Sequence, residues 1–163
     1  MRSKGFEGMV CSIAGVLDAI GDRWALLILR DLLLGLRRYD DLRTSTGITH
    51  ATLSDRLRSL VENGLIERRQ YQSAPDRYEY LPTRRGKDLA LVVQALAQVG
   101  DKWDVAGEGG PPLRFVHRKT GQAVKLALID EKSGEQVRFR DVRAEPGPGA
   151  DKLIRWRLSK SHA

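Results

Sequence analysis

Residues 46–65, which read TGITHATLSDRLRSLVENGL, decide the fold of this chain. Four of their apolar residues have the i, i+4, i+7, i+8 spacing of one helix face, and these are Leu53, Leu57, Leu60 and Val61. Thr49 has the side chain of an N-cap residue, and Gly64 is placed where a left-handed residue would end a helix. We therefore predict a helix over residues 49–63.

The opposite face of this predicted helix carries short hydroxyl groups, an imidazole and arginine. An ordinary solvated helix is richer in Glu and Lys pairs. The residues on this face are His50, Thr52, Ser54, Asp55, Arg56, Ser59 and Asn63. Such groups suit base edges and phosphates in a major groove, but a plain surface helix fits the same pattern about equally well. The flanking sequence has to decide between the two.

The segment before this helix predicts three further helices, at residues 12–20, 23–34 and 37–43. Asp22 is expected to cap the second, which is apolar on most sides and should form the centre of the core. A short connection containing Gly47 then leads into the helix of residues 49–63. Two helices joined in this way have the helix-turn-helix layout.

Two strands are predicted after the helix, at residues 65–71 and 77–81, with turn residues between them. A basic β-hairpin directly after a helix-turn-helix is a wing. Pro82 lacks a backbone N–H, so the second strand is expected to end early. Thr83 should then cap one long helix, residues 84–103, whose apolar stripe exceeds what a small domain needs and indicates a partner chain.

Composition divides the chain into four parts. We predict a flexible N-terminus at residues 1–10, a winged helix-turn-helix domain at 11–105, a Gly- and Pro-rich linker at 106–112 and a small β-rich extension at 113–163. The extension should contain short strands at 113–116, 123–129 and 136–142 and a final strand at 152–158. The expected fold class is α+β.

The composition also limits the function classes. The net charge of +7 and the pI of about 9.9 indicate a polyanionic partner or a soluble basic protein. No apolar run approaches the roughly 20 residues of a membrane span, and no basic amphipathic anchor helix is evident, so we expect no membrane partner. A single cysteine and the lack of a signal core favour the cytoplasm.

An enzyme is the competing class, and the sequence gives it little support. Nucleophilic catalysis needs a base near its nucleophile, yet His50, His117 and His162 lie in unrelated contexts. The sequence has neither a phosphate-binding glycine loop nor a zinc signature. We therefore expect no enzymatic activity and no cofactor.

These residues together resemble the HxlR-type transcriptional regulators, winged helix-turn-helix proteins related to the MarR group. The resemblance covers about two-thirds of the chain, in order and at the spacing of the family. It consists of Cys11, residues 17–24 (LDAIGDRW), 28–33 (ILRDLL), 38–42 (RYDDL), 47–48 (GI), 53–60 (LSDRLRSL), 63–68 (NGLIER) and 75–80 (PDRYEY), Thr83 and Gly86. Pro82 departs from it, because the family usually has an apolar residue there.

The resemblance implies a homodimer that binds double-stranded DNA at a palindromic operator, with dimer contacts from the first helix and from the long helix after the wing. Repression is the expected output, and a redox, electrophile or small-molecule signal is the expected input. The alternative is a sequence-tolerant architectural DNA-binding protein, which would show a steep salt dependence and little specificity.

The extension resembles a tail found in some of these regulators, a small ribbon whose cysteines could hold zinc. Here the cysteine positions are occupied by Thr120, Asp130 and Ser133, and without thiolates we predict no structural zinc. The tail would then be held by packing of apolar side chains, namely Val124, Leu126, Leu128, Val137 and Phe139.

The candidate DNA contacts come from three places. The first turns of the recognition helix enter the major groove in such folds, and they carry Thr49, His50, Thr52 and Ser54. Further along that helix we favour Arg56, while for Arg58 a solvated face is an equal alternative. At least one of Arg68, Arg69 and Arg77 in the wing should reach DNA.

Arg38, before the recognition helix, suits a phosphate clamp or, nearly as well, a pair with Asp40 or Asp41. Trp24 and Trp103 suit core or dimer packing.

Cys11 is a redox-sensing candidate. Members of the family that the chain resembles often sense oxidants through a cysteine near the N-terminus. A thiol becomes reactive where its thiolate is favoured, and Cys11 precedes a predicted helix with Ser12 as the expected cap. The alternative is that Cys11 is a small buried apolar residue.

Overall fold

The computed structural model describes residues 5–105, 107 and 109–160; residues 1–4 of the predicted N-terminal segment, residues 106 and 108 of the linker, and His162 lie outside this description. The elements, in order, are α1 (Ser12–Ile20), α2 (Arg23–Leu34), α3 (Tyr39–Thr46), α4 (His50–Glu62), β1 (Ile66–Ser73), β2 (Asp76–Pro82), α5 (Arg84–Asp88), α6 (Ala90–Trp103), β3 (Leu128–Ile129), β4 (Gln136–Val137), a 3₁₀ turn (Phe139–Asp141) and α7 (Lys152–Lys160). The strands form two antiparallel pairs, β1 with β2 and β3 with β4. The predicted α+β class is confirmed.

Local capping sets the bounds of α2, α3 and α4. The Asp22 side chain accepts the Ala25 N–H at 2.9 Å and starts α2. The Thr49 hydroxyl accepts the Thr52 N–H at 3.2 Å and starts α4. Helix α3 begins two residues later than predicted and runs on to Thr46, because the left-handed Gly47 (φ 68°) ends it. The helix-turn-helix therefore follows from the cap residues that the sequence supplies.

Helix α2 lies at the centre of the core. Four of its apolar side chains are buried, namely Ala25, Ile28, Leu29 and Leu32. They belong to one cluster with Leu42 of α3 and with Leu53, Leu57 and Leu60 of α4. Because α4 buries three leucines at i, i+4 and i+7, its opposite face is held outward.

The wing is attached to the domain along one strand edge. The Tyr80 N–H donates to the Arg37 carbonyl at 2.8 Å, and Arg38 pairs with Glu79 in an isolated antiparallel bridge. The segment before α3 thus adds to β2. The predicted early end of β2 is wrong, because Pro82 pairs with Ile66. A proline is tolerated there because its nitrogen, like the Tyr80 N–H two residues earlier, lies on the side of β2 that faces away from β1.

The predicted long helix is divided into α5 and α6, which meet at Leu89. The Leu89 N–H donates to the Gly86 carbonyl three residues back, which tightens the end of α5. The Thr83 hydroxyl caps α5 by accepting the Gly86 N–H at 3.1 Å, as predicted. A Cβ atom at Gly86 would lie only 2.0 Å from the Leu65 carbonyl oxygen, so α5 rests directly on the backbone that leads into the wing.

The tail contains less β structure than the sequence predicted. Residues 152–158 were predicted as a strand but lie in α7, because the Asp151 carboxylate accepts the Ile154 N–H at 2.7 Å and starts a helix. Packing of the tail is also weaker than predicted: Phe139 is 85% exposed, and Val124 and Leu128 are exposed as well. Among the five apolar residues named for it, only Leu126 and Val137 are half-buried.

The side chain of Gln98 in α6 connects the tail to the domain. Its Nε2 donates to the Leu126 carbonyl at 3.0 Å, and its Oε1 accepts the Leu126 N–H at 2.9 Å. Gln98 therefore satisfies both backbone groups of one tail residue, as a neighbouring strand would.

Candidate nucleic-acid interface

The exposed face of α4 presents a short row of polar side chains. His50, Ser54, Asp55 and Arg58 are exposed, and Ala51 lies among them without a bulky side chain. Thr49 and Thr52, at the start of the helix, bond to each other through their hydroxyl groups at 2.9 Å. Both threonines therefore hold the first turn in place, while the exposed residues after them face outward.

Tyr39 of α3 organises the first turn of this face. Its hydroxyl lies 3.0 Å from the His50 carbonyl, 3.0 Å from Ser54 Oγ and 3.2 Å from His50 Nδ1. The two rings are also stacked, with centroids 5.7 Å apart. Because the single O–H donates to the carbonyl, Ser54 Oγ–H and His50 Nδ1–H donate to the Tyr39 oxygen. This arrangement leaves His50 Nε2 and the Ser54 lone pairs directed away from Tyr39.

Sequence reasoning did not identify Tyr39 as a functional residue. In the sequence it is noted only within residues 38–42, as part of the family resemblance. Its partners lie 11 and 15 residues further along the chain, so their contact depends on the angle at which α3 and α4 cross. The available sequence signal is a tyrosine at the first residue of α3, which is weak by itself.

The two arginines of α4 differ in their surroundings. The Arg56 Nη1 donates to Asp55 at 2.6 Å, and Arg56 Nε lies 2.6 Å from Asp22 in an ion pair that lacks hydrogen-bond direction. The Arg56 side chain is only 31% exposed. Arg58 is 66% exposed, and its one ion pair in the described residues is a long 3.6 Å contact with Asp55. The structure thus directs Arg56 toward the N-terminus of α2 and Arg58 toward solvent.

The three wing arginines also differ. Arg69 donates twice to one Glu79 oxygen, at 3.0 and 2.7 Å. Arg68 lies over the Tyr78 ring at 3.5 Å from its centroid. All three arginines are exposed, but Arg77 makes no ion pair or cation–π contact with another described residue. Burial raises the pKa of Tyr80, against the lowering effect of Arg68. Arg77 is therefore the wing cation most open to an external anion.

A concavity of about 480 Å³ brings Arg38 and Arg77 together between the start of α3 and the wing. It is lined by Arg38, Tyr39, Asp40, Asp41, Tyr71, Arg77 and Tyr78. The Arg38 guanidinium lies over the Tyr71 ring, 5.3 Å from its centroid. Within the described residues no ion pair joins Arg38 to Asp40 or Asp41, so the ring contact replaces the pair that the sequence allowed.

A second groove, of about 750 Å³, lies between α1 and α6 and is mainly apolar. Ile13, Val16, Leu17, Val92 and Leu96 are among its lining residues, and all five are exposed. Helix α6 has no buried residue along its length. Trp103, near the end of the same helix, is 71% exposed, so packing in the core of this chain is excluded for it.

Cys11 lies at the start of α1 and is half-buried. It is itself the N-cap residue, and its side chain makes no capping hydrogen bond. The prediction that Ser12 is the cap is wrong, because Ser12 is the first residue of the helix. The thiol is therefore neither fully buried nor engaged at the helix end.

Two other kinds of site are absent from the described residues. No helix in the described part of the chain is long and apolar enough to span a bilayer. Among the same residues, no three His, Cys, Asp or Glu side chains cluster closely enough to hold a metal ion.

Comparison with known proteins identifies the family. The family described as HxlR-like helix-turn-helix matches residues 19–107, more than half of the chain. The chain belongs to the HxlR-like helix-turn-helix family. An uncharacterised HTH-type transcriptional regulator of Mycobacterium tuberculosis is 43% identical to the chain over 147 residues, which cover 90% of this chain and 91% of the relative.

Two solved structures extend the comparison. PA1607, a candidate transcription factor, superposes with a TM-score of 0.74 at 32% identity and covers 85% of this HxlR-like chain and 96% of its own. The redox regulator HypR in its oxidised form has a TM-score of 0.52 at 28% identity and covers 56% of this chain and 96% of its own. The chain is accordingly a winged helix-turn-helix protein and is similar to DNA-binding transcription regulators.

Proposed function

We propose that this HxlR-like protein is a homodimeric repressor that binds a palindromic operator in double-stranded DNA. The observation that carries the proposal is the row of polar side chains on α4, held by Tyr39 and flanked by the wing. The proposal places α4 of each protomer in the major groove of one half-site and the wing against the flanking backbone. Because the partner is chromosomal DNA, we place the protein in the cytoplasm.

The proposed DNA contacts follow from exposure. On α4 we propose His50, Ser54 and Arg58 for base edges, with Thr49 and Thr52 as the residues that hold the first turn. Arg56 is proposed to position α4 against Asp22, since its guanidinium already has two carboxylate partners. In the wing and beside it, phosphate contacts are proposed for Arg77 and Arg38, and weaker ones for Arg68 and Arg69, which are engaged with Tyr78 and Glu79.

The apolar groove between α1 and α6 supports the proposed dimer. A monomer of this size rarely leaves so many large apolar side chains of two helices exposed together. A second copy that covers this groove would hold the two recognition helices at a fixed separation. A palindromic operator requires about 34 Å between them, one turn of DNA.

The proposed input is an oxidant or electrophile acting at Cys11, or a small molecule at the dimer interface. Cys11 is half-buried at the N-cap of α1, so its modification would disturb the helix proposed for dimer contact. Similarity to the redox regulator HypR supports this input. The extension is proposed to be a ribbon that lacks zinc, in which Thr120, Asp130 and Ser133 replace cysteines.

Selection from a random duplex library, at two salt concentrations, tests the proposed function. We expect enrichment of a two-fold symmetric site by the full chain, and loss of that enrichment in Arg58→Ala. Lys87→Ala is the matched control, because it removes an exposed cation from α5, outside α4 and the wing. It should retain the enriched site.

Other outcomes would contradict the proposal. Binding with a steep salt dependence and no enriched sequence would support an architectural DNA-binding protein instead. Enrichment of an asymmetric site by a protein that sediments as a monomer would exclude the homodimer.

A further inference from the structure

Most of the net positive charge of the chain lies in the tail, residues 113–163. Residues 1–112 contain 16 basic and 15 acidic residues, and residues 113–163 contain 12 basic and 6 acidic ones. Of the net charge of +7, the DNA-binding domain with its linker therefore carries +1 and the tail carries +6. A charge of this size on a short segment attracts a polyanion, whereas the domain as a whole is nearly neutral.

In helix α7 the basic residues of the tail are regularly spaced along one face. Ile154 and Leu158 are its half-buried residues, one turn apart. Lys152, Trp156 and Lys160 follow one another at i, i+4 and i+8 on the opposite face, and all three are exposed. Arg155 and Arg157 flank this stripe, and α7 contains no acidic residue.

Among the residues that the structure describes, no acidic side chain pairs with a cation of α7. Ion pairs in the described part of the tail join Arg138 to Asp141 at 2.7 Å and Arg143 to Glu145 at 2.6 Å. None of the described ion pairs reaches α7. Spacing of about 6 Å between residues four apart on a helix suits successive contacts to a phosphate backbone.

The distribution of apolar residues favours nucleic acid over a membrane surface. A helix that lies in a membrane needs one continuous apolar face. In α7 the apolar residues are divided between the inner pair, Ile154 and Leu158, and the outer residues Leu153 and Trp156. Basic residues in a stripe along one helix face are instead the electrostatic footprint of a nucleic-acid-binding surface.

We propose that the tail is a second DNA-binding element, in which the Lys152–Trp156–Lys160 stripe of α7 contacts the phosphate backbone of duplex DNA without reading sequence. The proposal rests on the proposed function, because it adds to the binding of the same duplex. Helix α4 supplies the sequence preference, and the tail supplies affinity that is the same for every sequence. The bonds between Gln98 and Leu126 keep the tail attached to α6 during binding.

Binding of the full chain to labelled duplex, measured by fluorescence anisotropy over a range of salt concentrations, tests this proposal. The variant is Lys152→Gln/Lys160→Gln, and the control is Arg138→Gln/Arg143→Gln, which removes the same charge from ion-paired positions of the tail. Each phosphate contact contributes about 0.9 to the slope of log K against log salt. Because the proposed homodimer carries two copies of each lysine, we expect the variant to lower the slope by about 3.6. It should weaken the enriched and a scrambled duplex equally, while the control leaves the slope unchanged.

Two results would overturn the proposal. An unchanged slope in the variant excludes backbone contacts by these lysines, and an equal decrease in variant and control assigns the effect to net charge alone. Co-sedimentation with anionic phosphatidylserine vesicles that is lost in the variant, together with an unchanged DNA slope, would assign α7 to a membrane surface.

The tail proposal and the proposed function can fail separately. If the full chain enriches a palindrome but the variant leaves the slope unchanged, only the tail proposal is refuted. A chain that enriches no sequence but shows the lowered slope refutes only sequence-specific binding.

Discussion

Replacing Tyr39 by phenylalanine removes one hydroxyl that contacts three atoms of α4 and leaves the ring stacked on His50. The partners are exposed and regain water, so the free energy of unfolding should fall by only about 1 kcal/mol. In the Tyr39→Phe variant without DNA, the side chains of His50 and Ser54 lose the hydroxyl that holds them and become mobile. Fixing each of them on binding costs about 0.5–1.5 kcal/mol.

Fixing both side chains predicts a loss of about 1–3 kcal/mol in operator binding for each protomer, or roughly 5- to 150-fold in Kd per half-site. Fluorescence anisotropy with the enriched palindrome and a scrambled duplex measures this loss. The salt dependence should not change, because no charge is removed. Thr44→Ala is the matched control, since its hydroxyl bonds only to the Asp40 carbonyl within α3, at 2.8 Å.

A double-mutant cycle decides whether Tyr39 acts through Ser54. If it does, the effects of Tyr39→Phe and Ser54→Ala on operator binding should be non-additive by at least about 0.5 kcal/mol. Additive effects would refute the reasoning. Equal weakening of the palindrome and the scrambled duplex would refute it too, because a positioning role for base-reading side chains requires the palindrome to suffer more.

Three further predictions concern stability and local structure. Gly86→Ala should lower the free energy of unfolding by about 3 kcal/mol, because its Cβ would lie 2.0 Å from the Leu65 carbonyl oxygen; a gain of about 1 kcal/mol in urea titration, the normal helix-propensity effect, would contradict the close approach. Asn63→Ala should lose about 1 kcal/mol in the same assay, because the amide donates at 2.8 Å to a carbonyl in the last turn of α1; an unchanged midpoint would show that the bond contributes nothing. Hydrogen bonds from Ser133 and then Lys132 lower the pKa of Asp130, so the turn should keep its structure above the ordinary carboxyl pKa and loosen as pH falls through the lowered one. In an NMR titration, Ser133→Ala should raise that pKa toward its ordinary value, and an unmoved titration would rule out the side-chain bond.

Sequence alone predicted most of the DNA-binding domain because its signals are local. The cap residues Asp22 and Thr49 lie directly beside the helices that they start, and Gly35 and Gly47 end α2 and α3 by adopting left-handed conformations. Buried leucines at helical spacing then fix which face of α4 is turned inward. Each of these features is contained within a few residues of sequence.

Contacts between distant residues could not be predicted in the same way. The partner of Arg56 is Asp22, 34 positions earlier, so the direction of the guanidinium depends on how α2 and α4 pack. The role of Tyr39 depends on the crossing of α3 and α4 for the same reason. Which arginine faces solvent is therefore a property of the assembled fold.

The tail was predicted least well, because its pattern is ambiguous. Residues 153–158, which read LIRWRL, combine apolar and basic residues in near alternation, as in a half-buried strand. The cap at Asp151 and the inner pair Ile154 and Leu158 select a helix instead. A segment this small buries few apolar side chains. The sequence therefore does not show whether burial follows the repeat of a strand or the repeat of a helix.

The bonds between Gln98 and Leu126 have a consequence for how this protein can vary in evolution. Gln98 binds the N–H and the carbonyl of position 126, and both groups are present whatever side chain that position carries, with proline as the exception. Position 126 is thus free to change without weakening the attachment, while a change at Gln98 breaks both bonds. Comparison of related sequences should find a constant glutamine with no co-varying partner, although the two positions touch.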